Sequence, residues 1–460
     1  MPSLRRASLL HAVHYMRLLY EQNQSYLRGG EEQSSSLKGF EVELPNLRFI
    51  QGQFHDFIGS MKEKQDLSVM DQAFLDVCNT IPDAGAYLIS LKLNARERIR
   101  WIEDALRASR KLQNELTTQA HLGNLGLAHN ELGELSQAIE YYQQAFHVAK
   151  EIGDRYHQGA WLGNLGNIYS LQGNHEKAIE YHQRHLDLMR EIKNMLGEGH
   201  ALANLGVSYA YLGQLPKAIE NYKQHLSLAT QLGDRREQSR ALMNLGFAYF
   251  DAGNLDAASH SLNDALQIAT DLGDTITQIL VMGGLADIAI DRNEYVGAIQ
   301  LLQDALSTLQ NTHDVEAELR LIQSLGNAYS ASDDFEQALQ TYSWLYDLAH
   351  SIGAKAAMCS ALANQTSLHR YMGDFAGAIR VGKQALELAR QIQSLSDESF
   401  VRWQLALIDE ANEEFEKAAL EMNAVIEMEE HFGSLDVEKH REHLKNLIHR
   451  TGRLSASDWE

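Results

Sequence analysis

The stretch NLGNIYSLQGNHEKAIEYHQRHL, residues 164–186, decides the fold, because its pieces return every 40 residues without insertion or deletion. An alanine recurs at Ala138, Ala178, Ala218, Ala258, Ala298, Ala338, Ala378 and Ala418. Twelve residues before each lies Gly126, Gly166, Gly206, Gly246, Ala286, Gly326, Thr366 or Ala406. A fixed period of this length marks a solenoid of stacked helix pairs. That architecture suits binding of another chain better than catalysis.

The punctuation explains the period. Asn114, Asp154, Asn194, Asp234, Asp274, Asp314, Ser394 and Ser434 are good helix N-caps, since their side chains accept a first-turn N–H. Ala354 is the exception. Gly153, Gly233, Gly273 and Gly433 precede such caps and suit a left-handed helix end. Midway comes a second stop, at Gly133, Gly173, Gly213, Gly253, Asn293, Asp333, Gly373 and Glu413. Each repeat therefore reads as cap, helix A, tight turn, helix B, stop. Leu162, Leu165 and Tyr169 share one face of helix A, while Ala178, Tyr181 and Leu186 line helix B. The small residue of helix A admits a close approach of helix B, and anything larger than a methyl would hold the two apart. Glu140, Glu180 and Glu220 read as exposed i, i+4 ion-pair positions.

Four prolines against 32 glycines agree with an all-α chain. Only Pro216 falls in the array, at a first helical turn that tolerates it. Two distant cysteines, Cys78 and Cys359, give neither a disulfide framework nor a zinc set and read as buried thiols of a reducing cytoplasm. The net charge of −22 argues against nucleic acid and anionic membranes as partners. No apolar run approaches the roughly 18 residues of a membrane helix.

The expected organisation is a helical N-terminal segment (1–78), a degenerate repeat (79–113), eight 40-residue repeats (114–433), and a capping helix with a frayed tail (434–460). A loop is expected near 28–37, around GGEEQSSS. The degenerate repeat has a short helix A led by Pro82 and a convincing helix B in ERIRWIEDALRASRKL. Residues 435–450 predict a polar last helix.

The spaced Leu-Gly, Tyr, Gly, Ala and Tyr of 164–186 resemble the tetratricopeptide repeat, over roughly residues 79–433. The 40-residue period exceeds the standard 34 and resembles the long-helix arrays of kinesin light chain and Pins-type adaptors. HEAT and armadillo arrays lack this Gly/Ala/Tyr pattern. The resemblance implies a right-handed superhelical solenoid of antiparallel helix pairs. HAVHYMRLLYEQNQSYLRGG, ELPNLRFIQGQF (43–54) and NARERIRWIEDALRASRKL (94–112) resemble the segment that leads into the repeats of bacterial NB-ARC-type signalling ATPases. No GxxxxGK[ST] phosphate loop occurs, so ATP binding does not carry over.

The candidate site is a ladder of asparagines on the A helices: Asn124, Asn164, Asn204 and Asn244, continued by Asn364 and Gln404 and broken at Gly284 and Ser324. An amide offers both donor and acceptor, matching a peptide unit. The resemblance implies that such residues bind the backbone of an extended peptide on the concave wall. The competing reading has them bonding neighbouring helices. Asn167, His200, Arg240, Phe247, Phe250, Arg320, Asn327 and Arg370 flank the ladder. The arginines suit an acidic segment or a terminal carboxylate, and Asp251, Asp287 and Asp291 suit a basic one. The 20 histidines, including His182/His185 and His440/His443, read as helix surface or packing, without metal-site spacing. No catalytic pair, cofactor or metal site is expected.

The expected function is protein–protein interaction: a scaffold, adaptor or sensor in bacterial cytoplasmic signalling, with a peptide or protein segment in its groove. The alternative is the detached sensor arm of a split signal-transduction ATPase, with a partner ATPase binding residues 1–113. Self-association into a homo-oligomer through an open end and an enzyme site in the N-terminal segment are lesser readings.

Overall fold

The computed structural model describes residues 2–62, 66–309, 314–434 and 436–451. Among these lie 22 helices and no strand, and the fold is an all-α repeat solenoid. No helix among them is long and apolar enough to cross a membrane. The chain divides into two compact units, Met1–Asp234 and Arg235–Glu460.

The first unit opens with α1 (Pro2–Arg28), α2 (Glu31–Ser60), α3 (Val69–Ala84), α4 (Ala86–Lys92) and α5 (Ala95–Lys111). Three A/B pairs follow: α6 (Glu115–Glu131) with α7 (Leu135–Glu151), α8 (Arg155–Leu171) with α9 (His175–Glu191), and α10 (Met195–Tyr211) with α11 (Leu215–Leu232). The second unit has five pairs: α12 (Arg235–Asp251) with α13 (Leu255–Leu272), α14 (Thr275–Asp291) with α15 (Tyr295–Leu309), α16 (Val315–Ala331) with α17 (Phe335–Ile352), α18 (Lys355–Tyr371) with α19 (Phe375–Ile392), and α20 (Leu395–Ala411) with α21 (Phe415–Phe432). It ends in α22 (Val437–Thr451), and the expected frayed tail beyond it lies outside the described residues.

The turns have one recurrent geometry. A left-handed residue closes a helix every 20 residues from Gln113 to Gly433, position 313 lying outside the described residues. The next N–H then reaches back five residues, as from Asn114 to the Ser109 carbonyl and from Asp154 to that of Ala149, both at 2.9 Å. This satisfies carbonyls that the helix end would leave open. Asn114, Asp154, Asn194, Asp274, Asp314 and Ser394 each accept the N–H three residues on, as their positions predict. Ala354 has the same backbone shape and no side chain to do so. Ser434 instead accepts from the Asp436 N–H, and the last helix starts at Val437.

The small residue of helix A has a partner in helix B. A Cβ at Gly126 would stand 2.8 Å from the Tyr142 ring, and one at Gly326 would stand 2.6 Å from that of Tyr342. At Gly166 it would meet His182, and at Gly206 it would meet Tyr222. The space saved on helix A is filled by a ring from helix B. In the seventh repeat the sizes invert. Thr366 is larger than a methyl, and it fits because Gly382 stands opposite, where a Cβ would lie 3.1 Å from the threonine methyl.

Several expectations need correction. His182 fills the core position of α9, whereas Tyr181 lies half-buried at its edge, stacked on Tyr169 at 5.2 Å. Glu140 and Glu220 are exposed, but their i+4 partners are the amides of Gln144 and Gln224, not cations. The expected loop at 28–37 is a two-residue turn, Gly29–Gly30, both left-handed. EEQSSS is helical, and Ser36 returns its hydroxyl to the Glu32 carbonyl at 2.8 Å. In the degenerate repeat Pro82 does not lead a helix. It sits near the end of α3, which Ser68 and Asp71 start with a reciprocal cap. The break comes at Gly85, because Leu19 of α1 lies where a Cβ would be, 2.5 Å away. The Asn23 side chain of α1 then accepts the N–H groups of Tyr87 and Leu88 and caps α4. Both cysteines are buried free thiols, as expected.

Candidate functional site

The A helices of the first unit each leave one stripe uncovered. On α6 it runs Ala120, Asn124, Leu127, Glu131; on α8 Ala160, Asn164, Asn167, Leu171; on α10 His200, Asn204, Val207, Tyr211. The spacing of four, three and four is one face of a helix. The asparagines sit mid-stripe, half-buried, beside buried Leu125, Leu165 and Leu205. The side-chain amides of Asn124, Asn164 and Asn204 make no hydrogen bond to any described residue. The local fold does not consume them, which weighs against the reading that they tie helices together.

At the N-terminal end of this face the broken helix of the degenerate repeat opens a cleft of about 230 Å³. Tyr87, Ile89, Ile102, Leu127 and Ala128 make its apolar walls, and Asn124 and Arg98 its polar ones. Arg98 is buried and paired with Glu131, and its Nε has no partner. Burial also lowers its pKa. The sequence reading missed this cleft. Its signal was the Pro82–Gly85 interruption beside an otherwise regular helix B.

In the second unit the predicted residues divide. The Asn244 amide is uncommitted, like those of the first unit. Phe247 is half-buried, its ring lying where a Cβ of Gly284 would be, and Phe250 packs on the cluster of Leu262, Val281 and Leu285. Both rings serve repeat-to-repeat packing. The Asn327 Oδ1 accepts from the Tyr342 hydroxyl at 2.6 Å, and the Asn364 amide donates to the Ser360 carbonyl at 3.0 Å. Arg240 pairs with Glu237 at 3.0 Å, and Arg320 lies 3.9 Å from Glu316. Arg370 binds Gln404 Oε1 at 2.8 Å and lies over the Tyr371 ring, with no carboxylate partner among the described residues. Burial and the neighbouring Asp291 push the Asp287 carboxyl up to about 6.

The two histidines of α9 are packing groups. His182 and His185 are buried against Gly166, Gly163 and Gly159. Burial holds both imidazoles down to about 4, and each has an unpartnered Nδ1. No group of three or more potential metal ligands occurs among the described residues.

Tetratricopeptide-repeat family models match residues 117–191 and 198–271, and again 361–396. These stretches are tetratricopeptide repeats. No curated protein gave a significant match to the sequence. Among solved structures, the chain is similar to a signal-transduction ATPase with numerous domains (STAND) from Pyrococcus horikoshii that carries a tetratricopeptide-repeat sensor. That match has 15% identity and a TM-score of 0.53, and covers 80% of this chain and 55% of the other. The apo quorum sensor NprR from B. thuringiensis matches at 16% identity and TM-score 0.52, over 78% of this chain and 99% of its own. Aspartyl phosphate phosphatase F from Bacillus subtilis matches at 14% identity and TM-score 0.50, over 83% and 95%. At such identities the likeness is one of fold.

Proposed function

We infer that this chain is a protein-interaction module that holds an extended segment of another protein along the A-helix face of its first unit. The carrying observation is that Asn124, Asn164 and Asn204 repeat on successive tetratricopeptide A helices with half-buried, uncommitted amides. Each can donate to one backbone carbonyl and accept from one N–H. A net gain of about 0.5–1.5 kcal/mol per hydrogen bond makes three rungs a register device, not the main source of affinity. Apolar burial in the cleft beside Asn124 would supply the rest, through one side chain against Tyr87, Ile89 and Leu127. Asn167 and His200 lie on the same stripes and would set preference at the flanks. In the second unit Asn244 and Arg370 keep free donors, Phe247, Phe250, Asn327 and Asn364 serve mainly the fold, and Arg240 and Arg320 are exposed beside glutamates of their own helices.

The test is retention of a native partner by wild type and by an Asn124→Ala/Asn164→Ala/Asn204→Ala variant of equal helicity. The reading requires the variant to lose the partner. Equal retention would make the ladder structural.

A second reading is favoured by the likeness to the repeat-sensor ATPase of P. horikoshii, of which this chain spans 55%. The chain would then be a sensor arm acting on a separate ATPase in a signalling pathway. Co-purification of a phosphate-loop protein through residues 1–113 supports that reading, and its absence from a purified native complex argues against it.

A further inference from the structure

The C-terminal end of the second unit carries an uneven charge distribution. Residues 395–432, which form α20 and α21, hold eleven acidic and two basic residues. Residues 437–451, which form α22, hold four basic and two acidic residues and three histidines. The two are seated on one another through this difference. His440 lies 2.8 Å from Glu429, His443 Nε2 lies 2.8 Å from Glu410, and Arg441 pairs with Glu430. The His440 ring stacks on Trp403 at 3.7 Å. The apolar anchor is small: Leu447 is buried and Leu444 half-buried against Trp403, Ala406 and Met422.

Helix α22 also stands against an A-helix stripe. Lys439, His440 and His443 share a cleft of about 690 Å³ with Arg370, Gln404 and Leu407 of α18 and α20. Gln404 occupies the asparagine register and is buried, where Asn244 and Asn364 of the same unit are half-buried. A 15-residue helix is marginal on its own in water. Two leucines, the exposed Arg441–Glu430 pair and the His440–Glu429 and His443–Glu410 hydrogen bonds hold it only modestly, and salt screens the exposed pair.

We propose that the α20–α21 end is a docking surface for a basic, amphipathic helix, that α22 fills it in cis, and that a partner helix of the same character displaces α22. The partner presents a cationic or imidazole face to Glu410, Glu429 and Glu430. It lays leucines one and two turns further on beside Trp403, as Leu444 and Leu447 follow His440. Because this surface lies in the second unit, the inference stands apart from the asparagine face of the first.

Hydrogen exchange on the full chain tests it, read separately for α22 and for α18–α21. A Glu410→Gln/Glu429→Gln/Glu430→Gln variant is expected to speed exchange of α22 amides by about tenfold. Exchange of α18–α21 is expected to stay unchanged. An excess of a peptide of residues 436–451 is expected to speed α22 exchange in the wild-type chain. Leu447→Ala reports what a loosened α22 looks like. If α22 stays as protected as α18 under both charge loss and peptide excess, it is a permanent cap and the proposal fails. It fails equally if the variant loosens α18–α21 together with α22.

Discussion

Gly326 and Tyr342 show at the scale of single residues how the repeat is built. The ring occupies the volume that a Cβ on the A helix would need, 2.6 Å away. Gly326→Ala gains about 1 kcal/mol of helix propensity but overpacks the core, which costs about 1–3 kcal/mol. Thermal unfolding is therefore expected at a lower Tm, and the loss is expected to shrink when Tyr342→Leu is also present. Additive effects of the two changes would contradict the pairing. The same logic makes Thr366 with Gly382 one inverted pair, not two exceptions. The sequence showed the glycine column but not its partner, because the partner is Tyr142, His182, Tyr222, Leu262 or Tyr342. A column shared by phenol, imidazole and isobutyl groups has no chemical signature, only a common volume. His182 adds a pH effect. Burial holds its imidazole down to about 4, below the ordinary value near 6.5. As pH falls from about 6.5 to 4, the unfolded chain takes up a proton that the folded chain refuses, so stability falls across that window. The loss is on the order of 3 kcal/mol, and above pH 6.5 there is none. His182→Tyr restores the ring found in neighbouring repeats. It is expected to flatten the fall in Tm between pH 6.5 and 4.5, and an unchanged slope would place the titration elsewhere.

At the scale of helices, caps and stops carry most of the information, and they were readable because their residue types are chemically selective. Six of the A-helix caps named from sequence accept their first-turn N–H as expected. Ala354 adopts φ −76, ψ 77, close to the φ −80, ψ 82 of Asp274, without a side-chain acceptor. Ala354→Asp is expected to stabilise the chain by about 1 kcal/mol, seen as a raised denaturation midpoint. No gain would mean that the α17–α18 turn differs from its neighbours in solution. Glu413 closes α20 at φ 65, a region that costs a non-glycine residue about 1–2 kcal/mol. Glu413→Gly should recover part of that, and a lowered midpoint would contradict the left-handed assignment. The first three helices were less legible. Their boundaries depend on contacts between elements far apart in sequence, such as Leu19 against Gly85 and Asn23 on α4. A polar run such as EEQSSS suits either a loop or an exposed helix, and tertiary packing decided for the helix.

For the molecule as a whole, the period fixed the fold class, while the site was legible only as a register. Position 124 plus multiples of 40 is visible in the sequence. Whether each predicted side chain on or beside that register is free depends on its neighbours: the tyrosine that takes Asn327, the carbonyl that takes Asn364, the glutamate that takes Arg240. The central claim is that a partner chain lies on the A-helix face of the first unit. A photo-crosslinking amino acid placed at Leu127 or Asn167, both exposed on that face, tests it most directly when compared with the same group at Gln144 on helix α7. The account predicts that a native partner is captured from positions 127 and 167 and not from 144, and that the capture is lost with Asn124→Ala/Asn164→Ala/Asn204→Ala. Capture from position 144 alone, or capture that survives the triple change, would contradict it.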